Sequence, residues 1–269
     1  MEIMKLSDES LGYGLGVFET MRVENGKVVW LHQHLERMRD SARRIGIKGL
    51  ERLDNLKLEE EITQAEQQLG ERFVLKLLLT NQQIYIGFRE IIYESADYEN
   101  GFRVCTSQVR RDENSIWTSI KSLHYGDQIL ERRKANEKGF QEALFLNSKG
   151  EIAECTMSNI FWVTQGQIYT PSLSCGLLPG IMRAFVIENR SVVEVQASLE
   201  QLLNADEVFL TNSVMEIMGV SQIDRKKYVS MDTAKEIQAA LKITMGFSID
   251  RRGFMGYSDS RKMNEGKSG

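Results

Sequence analysis

Long apolar runs are missing from this chain of 269 residues. The most apolar stretch, Phe73 to Leu79, is broken by Lys76, whereas a membrane-spanning helix needs about 20 mostly apolar residues, so no bilayer span is expected. Met1 to Lys5 runs straight into polar Ser7-Asp8-Glu9-Ser10. The apolar core of roughly 7–15 residues that a secretory signal carries is absent, and a cytoplasmic protein is expected. Cysteine is sparse. Cys105, Cys155 and Cys175 are odd in number and far apart, which fits reduced thiols in small apolar positions better than a disulfide framework or a zinc site. There is also no concentrated basic stretch. With 34 Lys plus Arg against 38 Asp plus Glu the formal charge is −4, and a nucleic acid, which needs a dense positive surface, is excluded as a partner.

Apolar residues make up 42% and charged residues 27%, which is enough to build a core and argues against disorder. The length favours two modest domains. Val17 to Val23, the pair Asn25-Gly26 and Val28 to Trp30 predict a hairpin. Helices are predicted over 31–46 and 55–69, and strands over 72–79, 83–88 and 102–107. The polar run 110–115 breaks the pattern and is taken as a linker between domains 1–109 and 116–269. The second half predicts a helix over 126–138, strands over 143–146, 151–154, 159–163 and 167–170, and a helix from Ile181 to about Asn189. A strand at 192–196, a short helix at 198–203, a strand at 206–211 and a helix at 232–243 follow. From about Ser248 a loose polar tail is expected.

Several motifs read most simply as scaffold. Gly12-Tyr13-Gly14-Leu15-Gly16 lacks the spacing of a dinucleotide loop, and a strand pattern follows where a helix would be required. His32-Gln33-His34 has no carboxylate or cysteine cluster at ligand spacing, so it reads as a solvated helix start and no metal is expected. No nucleophile elbow is present. Taken alone, Lys121 reads as an exposed lysine and Glu154 as a strand-end acid. Leu178 to Arg183 supplies the free N–H groups of a helix start, which suit an anion but occur at every helix.

In this order, however, the features resemble a known family, the fold-type IV pyridoxal-phosphate enzymes. The resemblance is carried by Gly14-Leu15-Gly16-Val17-Phe18-Glu19-Thr20, His34-Leu35-Glu36-Arg37-Met38-Arg39-Asp40-Ser41-Ala42, Lys121-Ser122, Ala153-Glu154 with Ser158-Asn159-Ile160-Phe161, Thr170-Pro171 and Pro179-Gly180-Ile181. Within the family the pattern is most similar to the aminodeoxychorismate lyases, which form 4-aminobenzoate and pyruvate for folate synthesis. Branched-chain and D-amino-acid aminotransferases are next. The resemblance implies an α/β (α+β) two-domain fold, pyridoxal 5'-phosphate at the domain junction, a small-molecule amine substrate and a homodimer.

It also implies roles. Lys121 would hold the cofactor aldehyde and shuttle protons once displaced. Glu154 would face the pyridine nitrogen and keep it protonated. Arg37 would clamp the phosphate with its fixed fork of donors, joined by the backbone N–H groups of Ile181 and Met182 and by Ser213. Tyr125 would hydrogen-bond the ring oxygen. Thr20 and Asn212 are polar where aminotransferases carry small or apolar residues, which favours a dicarboxylate substrate and the lyase reaction. Alternatively, Thr20 is a strand-favouring residue and Asn212 a turn residue. Two departures from the family stand out. The stretch before Gly14 is short, so a first strand or hairpin is expected to be reduced. A basic residue on the strand Phe73 to Leu79 is matched only by Lys76, and strand alternation leaves its facing open.

Overall fold

The computed structural model of the chain describes residues 9–247. The polar tail expected from Ser248 lies outside the described residues, as do residues 1–8. A single helical turn, α1 (Glu9–Gly12), precedes β1 (Val17–Glu24) and β2 (Lys27–Val28). Asn25 and Gly26 both take positive φ, 49° and 72°, as the tight two-residue turn of a right-twisted hairpin requires. The second strand is shorter than predicted. Trp30, at φ 52°, bends the backbone directly into α2 (Leu31–Arg44). His34, Met38, Ser41 and Ala42 form the buried stripe of α2, a helical spacing that faces one side of the sheet. After α3 (Glu59–Leu69), whose first turn carries Glu59, Glu60 and Glu61 and so complements the helix dipole, come β3 (Arg72–Leu79) and β4 (Ile84–Glu90). These strands form a four-stranded antiparallel sheet in the order β2-β1-β3-β4. Met21, Val23, Phe73, Leu75 and Leu77 pack from it against Met38, Ala42, Ile62 and Ala65 of the helices.

The chain changes sheets earlier than the composition suggests. It crosses through α4 (Ser95–Asn100) into β5 (Phe102–Arg111), and β5 already belongs to the second sheet. The predicted linker 110–115 therefore begins inside a strand, where Arg110 and Arg111 pair with Leu146 and Asn147. The polarity of this stretch reflects Arg111, whose side chain is buried and paired, as described below. Then follow α5 (Gly126–Glu137), β6 (Glu142–Asn147), β7 (Ile152–Cys155), β8 (Asn159–Thr164), β9 (Gln167–Pro171), α6 (Ile181–Asn189), β10 (Val192–Val195), α7 (Leu199–Leu203), β11 (Glu207–Asn212), β12 (Glu216–Ile223), β13 (Lys226–Lys227) and α8 (Asp232–Phe247). Strand β12 was not predicted, because residues Ile217, Met218, Gly219 and Val220 are all buried and show none of the alternation that marks a half-exposed strand.

The second sheet runs β10-β9-β8-β11-β12-β5-β6-β7, with β13 beside β12. It curls until its ends approach: Ile152 N–H donates to Ala197 O at 2.8 Å, and Glu151 bridges to Ser198. Leu144, Ile160, Trp162, Val208, Met218 and Val220 fill one core. Helices α6 and α8 cover the other face through Phe185, Val186, Ala234, Ile237 and Leu241 against Phe161 and Phe209, and Val29 from the first half joins that cluster.

A short backbone pairing ties the first sheet to the segment that carries Lys121. Phe18 N–H donates to Lys121 O at 2.9 Å, and Leu123 N–H donates to Gly16 O at 2.8 Å, so the segment ahead of α5 lies antiparallel to the start of β1. A Cβ on Gly16 would sit 2.6 Å from Leu123 Cδ1 and 3.2 Å from Leu79 O. We expect Gly16→Val to cost about 1–3 kcal/mol in urea unfolding and to weaken small-molecule binding at Lys121, whereas an unchanged midpoint would remove the claim that this approach is tight.

Candidate active site at the junction of the sheets

Lys121 is held by that short pairing, and it is half-buried. Its Nζ lies 4.7 Å from the Phe18 ring centroid and 5.5 Å from that of Tyr125. Burial, aided by the charge of Arg37, brings the amine down to about 8, while Glu19 and Glu154 pull the other way. Among the described residues it has no ion-pair partner, so it is a reactive amine in a prepared setting.

Glu154 ends β7 on the floor of the same cavity. Arg111 Nη2 donates to its Oε1 at 2.7 Å and the Leu178 N–H to its Oε2 at 3.0 Å. Burial raises its pKa, and the Arg111 charge and the Leu178 N–H oppose that rise. Beside it, the Tyr125 hydroxyl donates to Thr156 O at 3.0 Å, and burial raises its pKa. The loop at 156–158 is fixed from below. Buried Glu142 accepts from Thr156 Oγ1, from the Met157 N–H at 3.2 Å and from Ser158 Oγ at 3.2 Å.

Arg37, on α2, is anchored on the other side of Lys121. Its Nε and Nη2 donate to Glu19 Oε1 and Oε2 at 2.8 and 2.6 Å, and its Nη1 to Pro179 O at 3.1 Å. Glu19 is fully buried; burial would raise its carboxyl, but the charges and hydrogen bonds of Arg37 and His34 prevail and lower it to about 2. His34 Nδ1 lies 2.6 Å from Glu19 Oε2. Burial lowers the pKa of this ring, so the solvated helix start expected for His32-Gln33-His34 holds for His32, 66% exposed, and not for His34, at 0%. Pro179 leads to Gly180, which precedes α6. A Cβ there would lie 2.0 Å from Asn159 Oδ1, and Asn159 in turn donates to Leu178 O at 2.9 Å. Ile181 and Met182 line the same cavity as Arg37, and first-turn N–H groups have no partner inside the helix.

Lys121, Glu154, Tyr125, Arg37, Ile181 and Met182 line one cavity of about 220 Å³ between the sheets. Thr20 and Lys76 are cross-strand partners and both line it, with Phe18 on the same face, so Lys76 faces inward. Ser213 and Thr211 also line it, and Thr211 Oγ1 is buried without a hydrogen-bond partner. Asn212 is engaged by its own turn. Its Oδ1 accepts the N–H groups of Val214 at 2.9 Å and Met215 at 2.8 Å, and its Nδ2 donates to Met157 O at 3.2 Å.

The amino-transferase class IV family pattern matches residues 16–223, more than half the chain. The chain belongs to that family. It is 29% identical over 256 residues to the aminodeoxychorismate lyase of Bacillus subtilis, covering 88% of this chain and 86% of that one. It is likewise 29% identical over 259 residues to a D-alanine aminotransferase of Bacillus licheniformis, covering 88% and 90%. A branched-chain aminotransferase structure from Thermoproteus uzoniensis superimposes with a TM-score of 0.77 at 25% identity, covering 91% of this chain and 90% of that one. The fold is thus the fold-type IV architecture of this class IV family, whose members depend on pyridoxal phosphate.

The donor set fits that cofactor: the guanidinium charge of Arg37, held in place by Glu19, beside helix-start N–H groups for a phosphate, a buried carboxylate for a ring nitrogen, and an unpaired lysine between them. The structure brings Lys121, Glu154, Arg37, Tyr125, Ile181, Met182, Ser213, Thr20 and Asn212 to one cavity. Sequence reasoning did not single out Glu19, Arg111, Asn159 or Glu142, which hold these groups in place. Glu19 and Asn159 lie inside quoted motifs, but nothing local marks Arg111 as the partner of an acid 43 residues on.

Two outcomes follow for this class IV site. Only the uncharged amine attacks an aldehyde, so capture of pyridoxal 5'-phosphate by the cofactor-free protein should quicken about tenfold per pH unit as pH rises toward 8, then level off; a flat stopped-flow profile would refute this. Glu19→Gln should cost about 3–5 kcal/mol at neutral pH, because it leaves the guanidinium of Arg37 without its carboxylate. The Glu19 carboxyl is depressed in the folded state, so its contribution is full above the unfolded value and is lost as pH falls through about 2. The gap between wild type and variant should therefore shrink in acid.

Proposed function

We propose that the chain is a pyridoxal-phosphate-dependent 4-amino-4-deoxychorismate lyase that releases 4-aminobenzoate and pyruvate. The observation that carries this reading is the polar, cationic substrate side of the cavity, where Thr20 and Lys76 stand together on the sheet face next to Lys121. An amine bearing carboxylates suits such a wall, and a purely aliphatic side chain does not.

Arg37, the N–H groups of Ile181 and Met182, and Ser213 would hold the cofactor phosphate, and Glu154 would face the ring nitrogen. When bound, the cofactor supplies an aldehyde for the C4 amine of the substrate and a ring that accepts electrons. Lys121 Nζ, with a pKa brought down to about 8, is the base for the C4 proton near neutral pH. Thr20 is the hydroxyl offered to the departing oxygen at C3. Rupture of that C–O bond releases enolpyruvate, which becomes pyruvate, and the ring left behind becomes aromatic, which drives the reaction. Lys76 is the cation for a substrate carboxylate.

A second reading, transfer of the amino group from a D- or branched-chain amino acid, uses the same lysine, acid and phosphate cradle. It is favoured by Asn212, whose amide oxygen is taken up by its own turn and is not offered to a substrate.

Purified, cofactor-loaded protein should yield pyruvate and 4-aminobenzoate in equal amounts from aminodeoxychorismate. Lys121→Ala should lower turnover by about 10²–10⁴-fold or more. Absence of both products, with amino transfer from D-alanine or valine to an oxo acid in the same preparation, would replace the lyase by the aminotransferase.

A further inference from the structure

The cationic residues around the cavity are not all explained by the cofactor. Arg37, Lys76, Arg89, Arg111, Lys121 and Arg132 line it against the carboxylate of Glu154. Arg37 is matched by Glu19 and Arg111 by Glu154. Lys121 and Lys76 stack on Phe18, each with Nζ 4.7 Å from the ring centroid. Arg89 and Arg132 are left over. Arg89, on β4, donates only from Nη1 to Glu90 O at 2.9 Å. Arg132, on α5, has its Nε buried without a hydrogen-bond partner. The Arg132 charge lowers Glu142, but the Glu142 carboxylate is occupied by Thr156, Met157 and Ser158 and forms no ion pair with Arg132 among the described residues. Both guanidinium charges bear on the hydroxyl of Tyr93, another lining residue, which stands in the crossing between the sheets. Arg132 is partly buried, and a partly desolvated guanidinium without a contacting counter-ion is costly unless a bound anion completes it; Arg89 is exposed and adds its charge from the sheet.

We propose that Arg89, which shares a sheet face with Lys76, and Arg132 on α5 form a second carboxylate-recognition position around Tyr93, which makes the site selective for an amine carrying two carboxylates. This rests on the reading of the cavity as an amine-substrate site but not on the lyase reaction, because a dicarboxylate amino donor would use the same pair. In it Arg89 and Arg132 are specificity-determining residues and take no part in proton transfer.

The test uses cofactor-loaded protein and equilibrium binding of two probes of related shape. Chorismate carries two carboxylates and a hydroxyl in place of the reacting amine; 4-hydroxybenzoate carries one carboxylate. Arg89→Gln and Arg132→Met should each weaken chorismate binding by about 10- to 100-fold, the range for losing a charged hydrogen bond. Binding of 4-hydroxybenzoate and the cofactor absorbance should stay unchanged, and Arg132→Lys should restore part of the chorismate affinity. Equal weakening of both probes, or no weakening of chorismate, overturns the proposal. Arg89 is exposed, so Arg89→Gln decides the matter even if Arg132→Met folds poorly. Should the protein release no pyruvate while the chorismate selectivity holds, the lyase reading falls and the subsite stands. Pyruvate release with undiminished chorismate binding by both variants gives the reverse result.

Discussion

Two backbone hydrogen bonds, Phe18 to Lys121 and Leu123 to Gly16, carry the geometry of the whole site. They extend the first sheet by a short antiparallel segment and so set the lysine by strand register instead of by a free loop. Strand alternation then does the sorting. Phe18 and Thr20 turn to the cavity, while Glu19 between them turns to α2 and receives Arg37. One strand thus supplies the apolar wall against which the amine rests, a polar group facing the cavity and, on its far face, the carboxylate that anchors Arg37. Gly16 permits the close approach because any Cβ would meet the Leu123 side chain.

Charge is distributed around the cavity by a simple rule. Acids that are buried deeply are saturated with donors: Glu19 by Arg37 and His34, Glu142 by Thr156, Met157 and Ser158, and Glu154 by Arg111 and Leu178. Such groups are expensive to desolvate and stay put only when their lone pairs are filled. The cations are treated differently, with several left facing open space. The outcome is a rigid acidic frame around a positive interior, and that is the electrostatic form of a receptor for anions.

Much of this was legible from the residues. The hairpin, α2, β3, α5 and α6 follow from Asn25-Gly26, from apolar spacing and from Pro179-Gly180, and the nine candidate residues all line one cavity. What could not be read depends on contacts distant in the chain. Arg110 and Arg111 look like linker residues because a buried ion pair is written in the same letters as a solvated one. Strand β12 is enclosed on both faces and so has no period to detect. His34 and Asn212 were assigned by residue type, and their partners, Glu19 across the helix–sheet interface and the turn to Met215, decide what their polar atoms do.

The central position of β5 also sets the order in which the molecule can be assembled. One neighbour, β6, follows closely in the chain, whereas the other, β12, is followed directly by Asp224, whose carboxylate accepts from Thr106, 118 residues away. At ribosomal speeds of about 5–20 residues per second, that separation amounts to roughly 6–24 s during which one edge of β5 stands open. The parallel ladder on that side can close only when nearly all of the described chain has emerged. A nascent polypeptide therefore carries Lys121, with Glu19, Arg37 and Lys76 already made, well before β12 can complete the second sheet.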